Sequence, residues 1–457
     1  MSGLREECGV LGIFAKERTD VAVDAYYGLF ALQHRGQESC GIVVNDGGVF
    51  SDYKDTGLVN DVFDEERIKK LGRGQMAVGH VRYGTTGGRG RLNAQPIVVQ
   101  HIKGNTALAH NGNLTNYSEL RNKLELGGAI FHTTSDTEVI SYIITQDRLT
   151  SHSIEEAIEK AMERIKGAYS LVIMSSAKLM AVRDPKGFRP LCYGVKPDGS
   201  YVVASESCAL DAVGAKLIRD VMPGEIIVFS KEGIKSITTH CQKEKKSLCV
   251  FEYIYFARPD SVIDGKSVHR YRVWAGEFLA KAHPVQADVV IGVPDSGLDA
   301  AIGYSKESEI PYEIGFVKNK YIGRTFIFPE QSAREDRVKI KLNVISDVVQ
   351  GKRVVLIDDS IVRGTTSRRI VGLLREAGAS EVHMRVSAPP FLYPCYYGTD
   401  IDSQENLIAC HYTLEEIRKK IGVDSLGYLS LEDAINLAGT NTTKEFCTAC
   451  FDGNYQL

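Results

Sequence analysis

Nothing in the chain approaches the roughly 18 uncharged apolar residues that a membrane-spanning helix needs. Its charged start, Met1-Ser2-Gly3-Leu4-Arg5-Glu6-Glu7, lacks the apolar run of a secretory signal. An excess of either charge is also missing. The 55 basic and 58 acidic side chains leave a formal net charge of -3, so no basic footprint offers itself to nucleic acid or an anionic membrane. Internal repeats and low-complexity segments are absent too, and 43% hydrophobic with 25% charged residues excludes disordered and fibrous classes. A soluble cytoplasmic protein is expected, and its 457 residues allow two large domains or three smaller ones. Ten cysteines without a secretory signal point to metal binding, catalysis or packing in place of disulfides.

The style of the sequence changes near residue 245. Before it, short apolar runs broken by Gly turns predict strands at 8–15, 41–45, 76–82, 97–101, 171–174 and 226–229. Asp46-Gly47 marks a hairpin. Apolar residues recurring at three and four predict helices over 136–146 and 154–165. After it, strand, loop and helix repeat: 288–293 then 298–305, and 353–357 then 365–377, with Gly378 as a C-terminal cap. Strands feeding helices in this way imply a parallel sheet. The charged stretch 243–246 is the expected boundary.

Cys8 opens the first apolar run, where a thiol can simply pack. Were residues 1–7 removed, its α-amine, with a reference pKa of about 7.7 to 8.0, would sit beside the thiol as a base. His110-Asn111-Gly112-Asn113 offers an amide and an unhindered N–H in one turn, and Arg82 supplies a cation in the Gly-rich loop 79–87. Asp136 can cap a helix or bind an ammonium, just as Asn111-Gly112 can be only a turn.

Taken as a set, Cys8-Gly9-Val10, His34-Arg35-Gly36-Gln37-Glu38-Ser39, the Arg82 loop, Asn111-Gly112 and Ser135-Asp136-Thr137-Glu138 resemble the glutamine amidohydrolase domain of the N-terminal-nucleophile amidotransferases. The resemblance implies an αββα sandwich, Cys8 as nucleophile, and Asn111 with Gly112 as oxyanion hole. It also implies that Arg82 and Asp136 hold the α-carboxylate and α-ammonium of glutamine.

Val354-Val355-Leu356-Ile357-Asp358-Asp359-Ser360 places two carboxylates where a buried strand ends, and Arg363-Gly364-Thr365-Thr366-Ser367 follows at a helix start. Gly364, the hydroxyls and the helix dipole suit a phosphate, while the acid pair suits ribose hydroxyls, a divalent cation or both. This stretch resembles the phosphoribosyl-diphosphate motif of type I phosphoribosyltransferases. Val293-Pro294-Asp295-Ser296-Gly297 fits the same parallel-sheet domain, and 318–326 resembles its mobile loop, with Lys318, Lys320 and Arg324 for a diphosphate leaving group. The family also implies Ser296, Asp358 and Asp359 as the magnesium site.

The two resemblances in this order are those of the glutamine phosphoribosylpyrophosphate amidotransferases, which carry out the first committed step of purine synthesis. They imply residues 1–7 as a propeptide, 8–240 as the amidotransferase domain and 246–457 as the phosphoribosyltransferase domain with C-terminal helices. Ammonia released at Cys8 would cross to the second site and attack the ribose anomeric carbon of phosphoribosyl diphosphate. Purine nucleotide inhibitors and a homotetramer are implied as well. The alternative is a regulatory protein that binds phosphoribosyl diphosphate or a nucleotide and keeps a degenerate amidohydrolase; the intact set of five site residues speaks against it.

Cys447-Thr448-Ala449-Cys450 cannot complete a four-thiolate site alone, and spacing does not choose between zinc and an iron-sulfur cluster. The resemblance to the iron-sulfur branch of the family selects Cys249, Cys395, Cys447 and Cys450 as ligands to a [4Fe-4S] cluster. By spacing alone, Cys241 and Cys410 are equally eligible, and Cys40, Cys192 and Cys208 are expected to pack or lie near the surface.

Overall fold

The apolar run behind Cys8 forms strand β1 (Gly9–Thr19), whose side chains alternate between two buried faces. Val10 and Phe14 pack with Val43 and Met76 of their own sheet against Ala107, Val172 and Met174 of another. Leu11, Ile13 and Ala15 pack on the opposite side, against Val21, Ala25 and Leu29 of helix α1 (Val21–Ala31). Burial on both faces is why this strand reads as a continuous apolar run. The computed structural model describes residues 8–84, 90–319, 342–399, 401, 403–437 and 445–455. The expected propeptide (1–7), part of the Arg82 loop (85–89), and Lys320 and Arg324 therefore lie outside the described residues.

Strands β2 (Ser39–Asp46) and β3 (Val49–Thr56) form the hairpin expected at Asp46, and β4 (Gly74–Arg82) runs between β1 and β2. Next in the chain, β5 (Ile97–Val99), β6 (Thr106–Leu114), β7 (Gly167–Ser175) and β8 (Leu179–Arg183) begin a second sheet. Strands β9 (Cys192–Val195), β10 (Tyr201–Ala204) and β11 (Lys216–Asp220) return to the first, and β12 (Ile226–Ser230) and β13 (Gly233–Ile237) complete the second. Among the described residues the orders are β11-β9-β10-β1-β4-β2-β3 and β13-β12-β8-β7-β6-β5.

Helices α2 (Tyr117–Leu126), α3 (Asp136–Thr150) and α4 (Ile154–Arg164) cover the outer face of the second sheet, with Leu120, Val139, Ile143 and Ile158 packed on Leu171 and Ile173. With α1 on the far side, the layers are helix, sheet, sheet, helix. Both expected helices are present. The cap of α3 is Ser135, whose hydroxyl accepts from the Thr137 N–H, and this leaves the Asp136 carboxylate available for other partners.

Beyond residue 245, β14 (Leu248–Cys249) leads through a helical turn (Glu252–Phe256) into α5 (Val268–Ala282). Strand β15 (Val289–Gly292) precedes α6 (Leu298–Ser308), and β16 (Arg353–Asp358) precedes α7 (Thr365–Glu376). With β17 (Glu381–Val386) and β18 (Ser425–Tyr428) they form a parallel sheet in the order β15-β16-β17-β18. Val290, Val355 and Ile357 face one core, and Ile291, Val354, Leu356 and Met384 the other. Gly378 follows α7 at φ +92°, as a C-terminal cap requires. Strand β19 (Phe446–Cys447) pairs in parallel with β14, setting Cys447 opposite Cys249. No helix among the described residues is long and apolar enough to cross a membrane.

Candidate active sites and metal centre

Pairing of β1 with β4 sets Gly9 opposite Val81, so Cys8 and Arg82 meet at one end of the first sheet. The half-buried Cys8 thiol donates to the Tyr83 carbonyl at 3.6 Å. A cross-sheet bond brings the second sheet to the same end: the His80 Nε2 of β4 lies 2.9 Å from the His110 carbonyl of β6. Asn111 and Gly112 follow directly. Asn111 is 1% exposed, and its side-chain amide nitrogen has no hydrogen-bond partner among the described residues. Such a donor costs about 1–3 kcal/mol unless something fills it. Gly112 has φ +143°, and a side-chain carbon there would meet the Ala168 carbonyl oxygen at 2.1 Å, so only glycine fits.

Asp136 accepts the Leu114 N–H at 3.0 Å and lies 3.4 Å from His110 Nδ1, which fastens α3 to β6 beside Asn111. Burial opposes its charge, but His110 and the Leu114 and Thr137 N–H groups outweigh that and hold the carboxyl below its ordinary range. Asp136 is therefore an anion at neutral pH. The buried Arg82 donates to Glu38 at 2.7 Å, a partner absent from the expectation that Arg82 holds a substrate carboxylate. Within the described residues, Cys8, Arg82, Asn111, Gly112 and Asp136 thus come to one end of the sandwich.

Behind Cys8 lies a charge network that the sequence did not single out. Arg35 Nε donates to the Cys8 carbonyl at 3.0 Å. Its two terminal nitrogens donate to Glu252 at 3.0 and 2.8 Å, and one also reaches Glu206 at 2.5 Å. Glu252 lies 3.4 Å from Arg189, and His34 is 2.7 Å from Glu206. The side chains of Arg35, Glu206, Glu252 and Arg189 are all 0% exposed. His34 and Arg35 belong to the 34–39 segment of the family resemblance, but nothing local ties them to partners some 170 to 220 positions away.

In the parallel sheet, register sets Gly292 beside Ile357, so the loops after β15 and β16 leave from one edge, where ligands bind in open α/β sheets. Ser296 Oγ donates to Asp359 at 2.5 Å, Ser360 donates to the other oxygen, and the Asp359 N–H donates to Asp358 at 3.0 Å. Burial first, then the charge of Asp359, pushes the Asp358 carboxyl well above its ordinary range; burial raises Asp359 as well. Two adjacent buried carboxylates repel each other, so the pair suits a hard cation with oxygen ligands. Lys318 reaches this edge and pairs with Asp295 at 2.5 Å. Gly364 caps the N-terminus of α7, followed by the exposed Thr365 and Thr366. Lys320 and Arg324 lie outside the described residues.

Cys249, Cys395, Cys447 and Cys450 line one small cavity, walled by Phe188, Phe251, Phe391 and Tyr397, with Arg189 as its cation. Cys241 and Cys410 do not line it. Cys410 is exposed, and Cys40, Cys192 and Cys208 are buried in the first half. No group of three His, Cys, Asp or Glu among the described residues closes on a single metal ion. Burial, followed by Cys395, pushes the Cys447 thiol up to about 12; Cys450 is raised well above the thiol range, chiefly by burial. The Tyr397 N–H donates to Cys395 Sγ at 3.4 Å, the kind of bond that orients a ligating sulfur.

Two family models match the chain: a glutamine amidotransferase domain over residues 89–212 and a phosphoribosyl transferase domain over residues 271–409. Proteins called amidophosphoribosyltransferase are similar nearly end to end. That of Methanocaldococcus jannaschii is 49% identical, with 98% of this chain and 97% of the relative covered. That of Bacillus subtilis is 48% identical, with 100% and 95% covered. A solved glutamine phosphoribosylpyrophosphate amidotransferase from B. subtilis, complexed with ADP and GMP, superposes with a TM-score of 0.91 at 47% identity, covering 98% of this chain and 97% of that one.

Proposed function

The chain belongs to the amidophosphoribosyltransferases, and from that membership we propose how its residues divide the reaction between two sites. The enzyme catalyses the first committed step of purine biosynthesis, forming 5-phosphoribosylamine from phosphoribosyl diphosphate and ammonia taken from glutamine. Residues 8–240 carry the glutamine chemistry and 246–457 the ribosyl transfer, after removal of residues 1–7.

At the first site, the freed α-amine of Cys8 takes the thiol proton as sulfur attacks the side-chain carbonyl of glutamine. The Asn111 amide and the Gly112 N–H receive the oxyanion, and collapse of the adduct leaves a thioester and ammonia, with the proton returned to the leaving nitrogen. Water then releases glutamate. Arg82 holds the substrate α-carboxylate and Asp136 its α-ammonium, while Glu38 keeps the guanidinium in place. The buried amide of Asn111, unpartnered among the described residues, carries this reading, because it is a preformed donor that awaits an acceptor.

At the second site, Gly364, Thr365 and Thr366 offer N–H and hydroxyl donors to a phosphate at the start of α7. Lys318, Lys320 and Arg324 receive the diphosphate while ammonia attacks the anomeric carbon. Asp358, Asp359 and Ser296 would hold magnesium, which supplies neutralisation of the leaving diphosphate. Cys249, Cys395, Cys447 and Cys450 would hold a [4Fe-4S] cluster, which supplies folding free energy by joining β14, the Cys395 turn and the C-terminal end. Feedback by purine nucleotides, supported by the relative solved with ADP and GMP, and a cytoplasmic homotetramer complete the proposal.

The test is Cys8→Ser. Glutamine-dependent synthesis should nearly vanish while synthesis from supplied ammonia persists, and equal loss of both would sink the assignment.

A further inference from the structure

The strand end that carries Asn111 and Gly112 leans on a turn from the other half of the chain. Asn113 Nδ2 donates to the Tyr396 carbonyl at 2.9 Å. The Tyr397 carbonyl accepts from Arg189 Nε and Nη2 at 3.2 and 2.6 Å, and the Tyr397 ring stacks on Phe188 at 4.1 Å with 20° between planes. Gly398, at φ +119°, approaches so closely that a side-chain carbon would meet Arg189 Nη2 at 3.2 Å and the Gly112 carbonyl carbon at 3.5 Å. Arg189 continues through Glu252 to Arg35, which holds the Cys8 carbonyl. The nucleophile's carbonyl and the oxyanion strand are therefore both referenced to the segment just after Cys395.

We propose that the 396–398 turn, with Asn113 and Arg189, is a positioning element for glutamine hydrolysis: it sets the approach of the Gly112 N–H and the Asn111 amide to the developing oxyanion. The inference rests on the oxyanion reading given above. An oxyanion hole acts on the transition state more than on bound substrate, so a displaced turn lowers kcat and leaves KM. Arg82 is held by Glu38, away from the turn, so capture of the substrate α-carboxylate persists.

Two variants test this. Asn113→Asp keeps shape but replaces the amide donor with an acceptor facing the Tyr396 carbonyl, and Gly398→Ala puts a side chain on a backbone at φ +119° and crowds Arg189 Nη2. In anaerobically purified full-length enzyme, kcat for glutamine hydrolysis should fall about tenfold with KM within about twofold. Binding of glutamate γ-semialdehyde, whose carbonyl forms a tetrahedral adduct with the thiol, should weaken by a similar factor. Synthesis from ammonia and iron content should hold. Unchanged kcat in both variants, or a parallel loss of ammonia-dependent synthesis, would overturn the inference. Asn111→Ala separates the two levels: retained kcat there overturns the oxyanion reading and the inference with it, whereas a loss there without one in the turn variants overturns the inference alone.

Discussion

Glu252→Gln probes the buried network most directly. Glu252 receives Arg35 at 3.0 and 2.8 Å and lies 3.4 Å from Arg189, and all three side chains are 0% exposed. Glutamine keeps the shape and one acceptor oxygen, but its amide nitrogen faces guanidinium donors and its charge is gone. Removing one partner of a buried pair costs about 3–5 kcal/mol, because the other charge stays buried and uncompensated. Glu206 still neutralises Arg35, which favours the lower end, about 3 kcal/mol. With a urea slope of about 3 kcal/mol/M, the unfolding midpoint followed by circular dichroism should drop by about 1 M. Glu65→Gln is the control, since its pair with Lys69 leaves the side chains 72% and 84% exposed and should leave the midpoint in place. A Glu252→Gln midpoint indistinguishable from that of Glu65→Gln would refute the reasoning.

Glu206 offers a pH test: burial opposes its charge, yet His34 and Arg35 outweigh it and hold the carboxyl far below its ordinary range. A depressed carboxyl contributes stability that is complete above its unfolded pKa of about 4.3 and is lost as pH falls below it. Denaturation midpoints of wild type should thus fall steeply below about pH 5, and Glu206→Gln should flatten that limb; parallel limbs would remove Glu206 as the cause. Replacing Asp358 and Asp359 together by Asn should lower synthesis about 100-fold with either glutamine or ammonia, and wild-type turnover with ammonia would reject their role. Cys447→Ser should lose iron and sulfide while Cys410→Ser retains both in anaerobic preparations. Stoichiometric zinc in the wild-type protein would overturn the cluster assignment.

Strand 226–229 was legible because burial on both faces makes an unbroken apolar run. Helix α1 was not. Val21, Ala25 and Leu29 face the core at helical spacing, but Tyr27 and Phe30 are each 53% exposed and blur the period. The short strands β9, β10 and β11 escaped for a different reason: Gly194 interrupts one and Lys216, Arg219 and Asp220 break another, so pairing with neighbours decides them.

The sequence by itself determined which chemistries the chain can host, because a strand ending in Asp358-Asp359, a Gly-capped hydroxyl loop and an Asn111-Gly112 turn are local arrangements. Neighbouring atoms along the backbone suffice to make each of them. Only the tertiary structure decided which distant groups meet. Parallel pairing of β14 with β19 sets Cys249 opposite Cys447, and the cavity admits Cys395 and Cys450 while leaving Cys241 and Cys410 outside. Glu252 lies 217 positions from Arg35, and Tyr396 lies 283 from Asn113. Over such separations no periodicity or propensity links two residues; the packing of the two halves against each other does, since it alone removes water from Arg35, Glu252 and Arg189 and makes each charge require the next.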